Sequence, residues 1–162
     1  MSRFAEFGKY KTNILLKLIE DQEIVKCLYF SNSEDTNFLD KTLPDNFNPT
    51  TLIYERIFPY QFVPDIQDTT KTFITLSFNR FRLVNNSFKS GYIHFYVFTH
   101  KSCMKTDYAT LRTDFLVNKI DSIMNQSVDF GIGKLQFNNM DDIIINNNYI
   151  GNVIEYKNYE FN

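Results

Sequence analysis

Apolar positions along the chain recur with two different spacings, and these set out its elements. Ile14, Leu15, Leu18 and Ile19 stand at i, i+1, i+4 and i+5, the stripe of a helix over about residues 10–20. Asp21 is placed to cap a second, short helix carrying Ile24, Val25 and Leu28. Residues 31–48 are polar and contain Pro44, with Phe38, Leu39, Leu43 and Phe47 as anchors, which predicts a long surface connection. A strand is expected over 51–57, ended by Pro59, then an irregular crossover over 58–70.

From residue 72 the spacing changes to two. Ile74, Leu76 and Phe78 share one face, while Phe81 and Leu83 fall on the opposite parity. Either a bulge near Asn79–Arg80 shifts the register or the distal half of the strand buries its other face. The polar stretch 85–91 supplies a turn, and 92–99 returns with Ile93, Phe95 and Val97 inward and Tyr92, His94, Tyr96 and Phe98 outward. Both faces are apolar, so helices are expected on one and a neighbouring subunit on the other. A long helix follows over 108–126, capped by Asp107. Its buried stripe is Leu111, Phe115, Leu116, Ile120, Ile123 and Met124, with Arg112, Asp114, Lys119 and Asp121 outside. Gly131 and Gly133 open a strand at 134–137, Asn138-Asn139 mark a turn, and 143–145 and 149–159 are further strands around the Asn146–148 turn. The order α-α-β-β-β-α-β-β(-β) is α+β, an antiparallel sheet flanked by helices in a single domain.

Composition refines this picture at two points. The 162 residues suit one domain that needs no covalent staple. Seventeen Phe and ten Tyr with no Trp suit a half-buried sheet that also meets partners. A net charge of −2 argues against the basic face that nucleic-acid binding requires. No apolar run approaches the roughly 20 residues that cross a bilayer, and the first residues lack a secretory pattern. Two cysteines form no disulfide framework, and a reducing cytosol is the expected place of synthesis.

Candidate chemistry is sparse. His100-x-x-Cys103, with Asp107 one turn on, has metal-ligand spacing, but only His94 and Cys27 remain as further nitrogen or sulfur donors. Asp141-Asp142 followed by Glu155-Tyr156-Lys157 resembles a magnesium-dependent nuclease arrangement, with Asp142 and Glu155 on the metal and Lys157 steadying the attacking water. The same Glu-x-Lys alternation also arises on any solvated strand. There is no glycine-rich phosphate loop and no nucleophile elbow. The expectation is a protein without catalytic, metal or cofactor residues.

Several segments, taken in order, resemble the tail-terminator and tail-completion (neck) proteins of tailed bacteriophages. They are Ile14-Leu15-Leu16-Lys17-Leu18-Ile19, Asp21-Gln22-Glu23-Ile24-Val25-Lys26, Ile57-Phe58-Pro59 with 71–78, Leu111-Arg112-Thr113-Asp114 with 117–123, and Gly131-Ile132-Gly133-Lys134-Leu135. The resemblance spans about 12–159 and lies in element order more than in single residues. It implies a virion protein forming a ring, commonly a hexamer, that caps the tail tube, meets the head connector or adaptor, and lets DNA pass through its lumen without specific binding. It carries over no catalytic residues. Family ring contacts from sheet edges and loops point to Phe81, Leu83, Phe88 and Tyr92 on the 72–99 hairpin and to Phe38 in the 31–48 loop.

Overall fold

A computed structural model describes residues 3–66, 70–84, 88–131 and 133–158. Helix α1 (Phe7–Glu20) buries Tyr10, Ile14, Leu15, Leu18 and Ile19, the stripe its spacing predicts. Asp21 caps α2 (Gln22–Tyr29), its carboxylate accepting from the backbone N–H groups of Glu23 and Ile24 at 2.9 and 3.2 Å, which satisfies two of the helix's orphan donors. The expected strand at 51–57 is instead a 3-10 turn, Pro49–Leu52, followed by the two-residue β1 (Ile57–Phe58). Pro49 and the Asn48 side chain, which accepts from Thr50 N, favour the turn locally.

The long strands β2 (Thr72–Val84) and β3 (Phe88–His100) form the central hairpin; the middle of its expected turn, 85–87, lies outside the described residues. Helix α3 (Arg112–Met124) crosses the sheet, and β4 (Leu135–Ile144) and β5 (Tyr149–Asn158) complete it. The strand order is β1-β2-β3-β5-β4. The four long strands are antiparallel and only β1 is parallel to its neighbour, so the fold is α+β with a mixed sheet.

The parity change in β2 is a bulge: the register shifts between Asn79 and Arg82, and Arg80 takes φ 53°. That turns Phe81 to the helix side, where it stacks on Phe78 with centroids 5.3 Å apart and meets Phe7 at 4.8 Å. Its ring also covers Gly91, where a Cβ would stand 2.4 Å from Phe81 Cγ. At Gly151, β5 passes so close to β3 that a Cβ would be 1.8 Å from the Val97 carbonyl oxygen.

Four expectations fail at α3 and β4. The helix starts at Arg112, four residues later than expected, and Asp107 does not cap it. Residues 104–111 are held as a loop by Arg112 N–H donating to Met104 O and Asp107 N–H to Thr36 O, both at 2.9 Å. Leu111, expected in the buried stripe, is 48% exposed. Asn138-Asn139 is no turn but a bulge inside one continuous ten-residue strand, with the register shift between Phe137 and Asn139.

All three helices lie on one face of the sheet. Ile74, Leu76, Ile93, Phe95, Val97, Ile154 and Tyr156 meet the helical residues Ile14, Leu18, Ile24, Leu28, Leu116 and Ile120 there in one core. On the other face, residues 59–66 fold back across one end, so that Phe58, Phe73, Phe98 and Tyr149 form a small second core with Phe62 stacked on Phe58 at 4.2 Å. Asn146 Nδ2 and Asn148 Nδ2 hold that segment by donating to Pro64 O and Ile66 O, each at 3.0 Å.

Candidate functional site

Beyond the end covered by 59–66, the helix-free face carries a polar chain running across all four long strands. Cross-strand register sets Ser77, His94, Glu155 and Asn139 in one row, with Asn79 and Tyr92 in the next. Asn79 Nδ2 donates to Ser77 Oγ at 2.9 Å and lies 2.7 Å from His94 Nδ1. An amide nitrogen only donates, so Nδ1 accepts and Nε2 carries the proton that meets Glu155. Asn138, displaced by its bulge, donates to the other Glu155 oxygen. Partial burial pushes the Glu155 carboxyl up, but the hydrogen bonds from His94 and Asn138 and the nearby Arg80 cation outweigh it, leaving the carboxyl below its ordinary range. Tyr96 stands edge-on to His94 at 6.1 Å, as strand alternation leads one to expect, and Arg80 lies over Tyr92 at 5.3 Å. In this row Ser77, Asn79, His94 and Glu155 each have a side-chain hydrogen-bond partner.

A second polar cluster lies inside the helical layer. Arg112, expected on the outer face of α3, is 0% exposed. Its Nε donates to Cys103 O at 2.9 Å, Nη1 to Cys27 O and Phe30 O at 2.8 and 2.9 Å, and Nη2 to Asp35 O at 2.8 Å. The Phe38 ring lies 4.6 Å from the guanidinium carbon. One planar cation thus joins the end of α2, the loop after it, the turn before α3 and α3 itself, through carbonyl oxygens that would otherwise be buried unpaired. The signal was present in the sequence: Arg112, Leu116, Ile120 and Met124 recur every four residues and all are buried. Charge alone had assigned Arg112 to solvent.

The nuclease trio does not converge. Asp142 pairs with Asn152 in the β4–β5 ladder, and Asn152 Nδ2 donates to it at 2.7 Å. Asn152 shares its parity with the buried Ile154 and Tyr156, whereas Glu155 and Lys157 have the opposite parity. Asp142 and Glu155 therefore stand on opposite faces of the sheet. His100 caps the short turn Lys101–Cys103 by accepting from Ser102 N, Cys103 Sγ donates to Ser31 O at 3.1 Å, and Asp107 is exposed. Cys27 lies against Arg112, and burial pushes its thiol up to about 12 despite that cation. Among the described residues no three His, Cys, Asp or Glu side chains gather to hold a metal ion.

Of the expected contact residues, Phe38 is corrected. It is fully buried among Arg112, Tyr108 and Phe115 and has no surface to offer. Phe81 is half-buried within its own chain, and Tyr92 is half-buried under Arg80. Leu83 and Phe88 lie in β2 and β3, with side chains outside the described ones.

Among the exposed apolar groups that the sequence reading missed, three lie on β4. Its helix-side residues extend past the cover of α3, leaving Phe137, Met140 and Ile144 at 43, 44 and 80% exposure. Phe137 and Met140, with Val117 and Ile154, border a groove of about 400 Å³ between α3 and β4, rimmed by Asp114 and Asp121. Strand order makes β4 an edge, paired on one side only among the described strands.

No helix among the described residues is long and apolar enough to cross a membrane. No curated protein and no solved structure matches the chain. The family model YomW matches residues 21–158, from the cap of α2 to the last residue of β5. That family bears a phage-derived gene name, which associates the chain with phage. Since the match takes in α2, α3 and the whole sheet, the chain belongs to the YomW family.

Proposed function

We propose that this chain is a structural subunit at the head–tail junction of a tailed-phage virion. It forms a ring that caps the tail tube and joins it to the head connector, and it acts by packing against other proteins and not by catalysis. The observation that carries this reading is β4, a ten-residue edge strand whose start is bonded by Asn125, Gln126 and Ser127 but whose remainder has no strand on its outer side among the described residues, with three large apolar side chains exposed along it. A monomeric protein usually blunts such an edge, because its free N–H and C=O groups and apolar side chains invite another chain. The phage-associated family supports the same reading, as does the resemblance of the sequence, in element order, to tail-terminator proteins. A subunit used this way needs a rigid body, and the Arg112 cluster and helix-backed sheet supply one.

Purified protein, alone and with tail-tube protein, is the material for the test. Electron micrographs are expected to show rings, and those rings should sit at tube ends and stop tube growth. Binding to a portal-side adaptor with no effect on tubes would move the protein elsewhere in the neck. A strict monomer that ignores tube and connector proteins would overturn the assignment.

A further inference from the structure

The hydrogen-bond pattern of β4 shows which of its backbone groups face outward. Ile145 N–H donates to Tyr149 O across the β4–β5 turn at 2.9 Å, and in an antiparallel pair bonded and non-bonded partners alternate. Ile143–Gly151 and Asp141–Val153 are therefore the bonded pairs, while Met140–Ile154, Asp142–Asn152 and Ile144–Ile150 are not. The N–H and C=O groups of Met140, Asp142 and Ile144 consequently point away from β5, to a side with no strand among the described residues. The start of β4 differs: Asn125 Oδ1 accepts from Phe137 N–H, and Gln126 and Ser127 exchange backbone bonds with Leu135. Residues 140–144 are the open stretch.

Side chains decide what can complete that ladder. Met140, Asp142 and Ile144 share the helix side of the sheet, an exposed row that reads apolar, acidic, apolar, and Asn152 Nδ2 holds Asp142 Oδ1 at 2.7 Å. Asp141 stands on the opposite face, and the groove beside Met140 adds Asp114 and Asp121. Residues 135–156 contain no Lys or Arg, and no cation is among the described lining residues of the groove. None of these four carboxylates is in an ion pair among the described residues. A second copy of β4 is a poor occupant, because an antiparallel pairing centred on the open stretch sets Asp142 opposite Asp142, and like charges directly opposite are destabilising. The other sheet edge, β1, is two residues long with both side chains buried. Charges on an edge strand repel a like edge, and carboxylates leave the edge open to a cationic one.

We infer that residues 140–144 accept an extended segment of a different protein as a sixth strand, and that this segment reads apolar, any residue, Lys or Arg, any residue, apolar. Its cation meets Asp142, its flanking apolar side chains cover Met140 and Ile144, and its backbone pairs with the outward N–H and C=O groups. The row on β4 is apolar, acidic, apolar from either end, so one pattern suits parallel and antiparallel entry. This deepens the assembly reading above and rests on its claim that β4 meets another protein; it supplies the chemistry of that neighbour.

The probe is a fluorescein-labelled, end-blocked peptide, Thr-Val-Thr-Lys-Thr-Val-Thr, with a twin that has Glu in place of Lys. Fluorescence anisotropy with the full chain should show the Lys peptide binding at least about tenfold tighter than its twin, since like charges brought together are strongly disfavoured. Asp142→Lys should reverse that preference. Ile144→Pro removes an outward N–H and no β4–β5 bond, a change that an edge strand tolerates, and should weaken the Lys peptide severalfold at an unchanged melting temperature. Should either variant not fold, the two peptides compared on wild type still decide. Equal affinity for both, or no binding of either at about millimolar concentration, would overturn the inference. So would self-association of wild type that Ile144→Pro abolishes, because a second copy would then fill the edge. Rings that cap tubes beside failed peptide results leave the assembly reading standing. Peptide results as expected, from a protein that ignores tube and connector proteins, remove the head–tail role alone.

Discussion

Phe95 and His94 are neighbours on β3 and stand on opposite faces of the sheet. Phe95 is 0% exposed in the core shared with the helices, its ring edge-on to Tyr156 at 6.0 Å. His94 sits in a row of hydrogen-bonded polar groups whose side chains keep some contact with water, 14% exposed for His94 and 16% for Glu155. Burial without polar atoms ties the first face to a single packing arrangement. The second is held by directed contacts that solvent can partly replace. The sheet thus has a rigid side that defines the body and a more adaptable side and edge.

Arg112 gives the sharpest way to break that contrast, because it is a polar cluster with the rigidity of the core. Four carbonyl oxygens depend on it. Leaving each unpaired costs roughly 1–3 kcal/mol, and water that enters recovers part of that. Arg112→Ala is expected to lower stability by about 5 kcal/mol, and Arg112→Lys to recover little of it, since an ammonium cannot span the same fork. Chemical denaturation measures both; a loss under about 2 kcal/mol would mean that the carbonyls find other partners.

One residue apart on β3, two truncations compare the faces directly. Phe95→Ala should cost about 3–5 kcal/mol, as buried Phe deletions do. His94→Ala should cost only about 1 kcal/mol, the net worth of a typical hydrogen bond or two near solvent. Equal costs for the pair, read from the same denaturation curves, would erase the distinction between the faces.

The smallest effect is in pH. Glu155 has its folded-state carboxyl below its ordinary value near 4.5, so its interactions stabilise the fold fully above that value. The contribution fades as pH falls through the lower folded-state value, because the unfolded chain takes up its proton first. Glu155→Gln should therefore lower stability slightly at neutral pH, where the carboxylate contributes in full, and flatten part of the acid limb of the stability curve, where that contribution is already lost. A limb of unchanged slope would show that this carboxylate is not coupled to folding.

How much was legible in advance varied with the physics involved. The Phe78-to-Phe81 parity change allowed either a bulge or a strand that buries its other face distally, because a strand places every second side chain on one face, and the structure takes the bulge. The same rule misfired at Asn138-Asn139. Asparagine is common in turns, and on an edge strand few buried side chains report that the strand continues through it. Asp142, Glu155 and Lys157 looked like a metal site because spacing in sequence does not fix the face. Ladder register does, and it separates them. Phe38 was assigned to a contact surface because the resembled family makes ring contacts through its loops, yet this loop folds it under a buried cation.

By itself, the sequence determined the stripes of α1 and α2, the central hairpin and the α+β class, all of which follow from local periodicity and the need to hide apolar area. Only the tertiary structure decided where Arg112 points, which face Asp142 occupies, and that β4 ends as an open edge with Phe137, Met140 and Ile144 uncovered. Those outcomes depend on which surfaces meet across long sequence separations, and periodicity within one segment carries no record of what will lie on the other side.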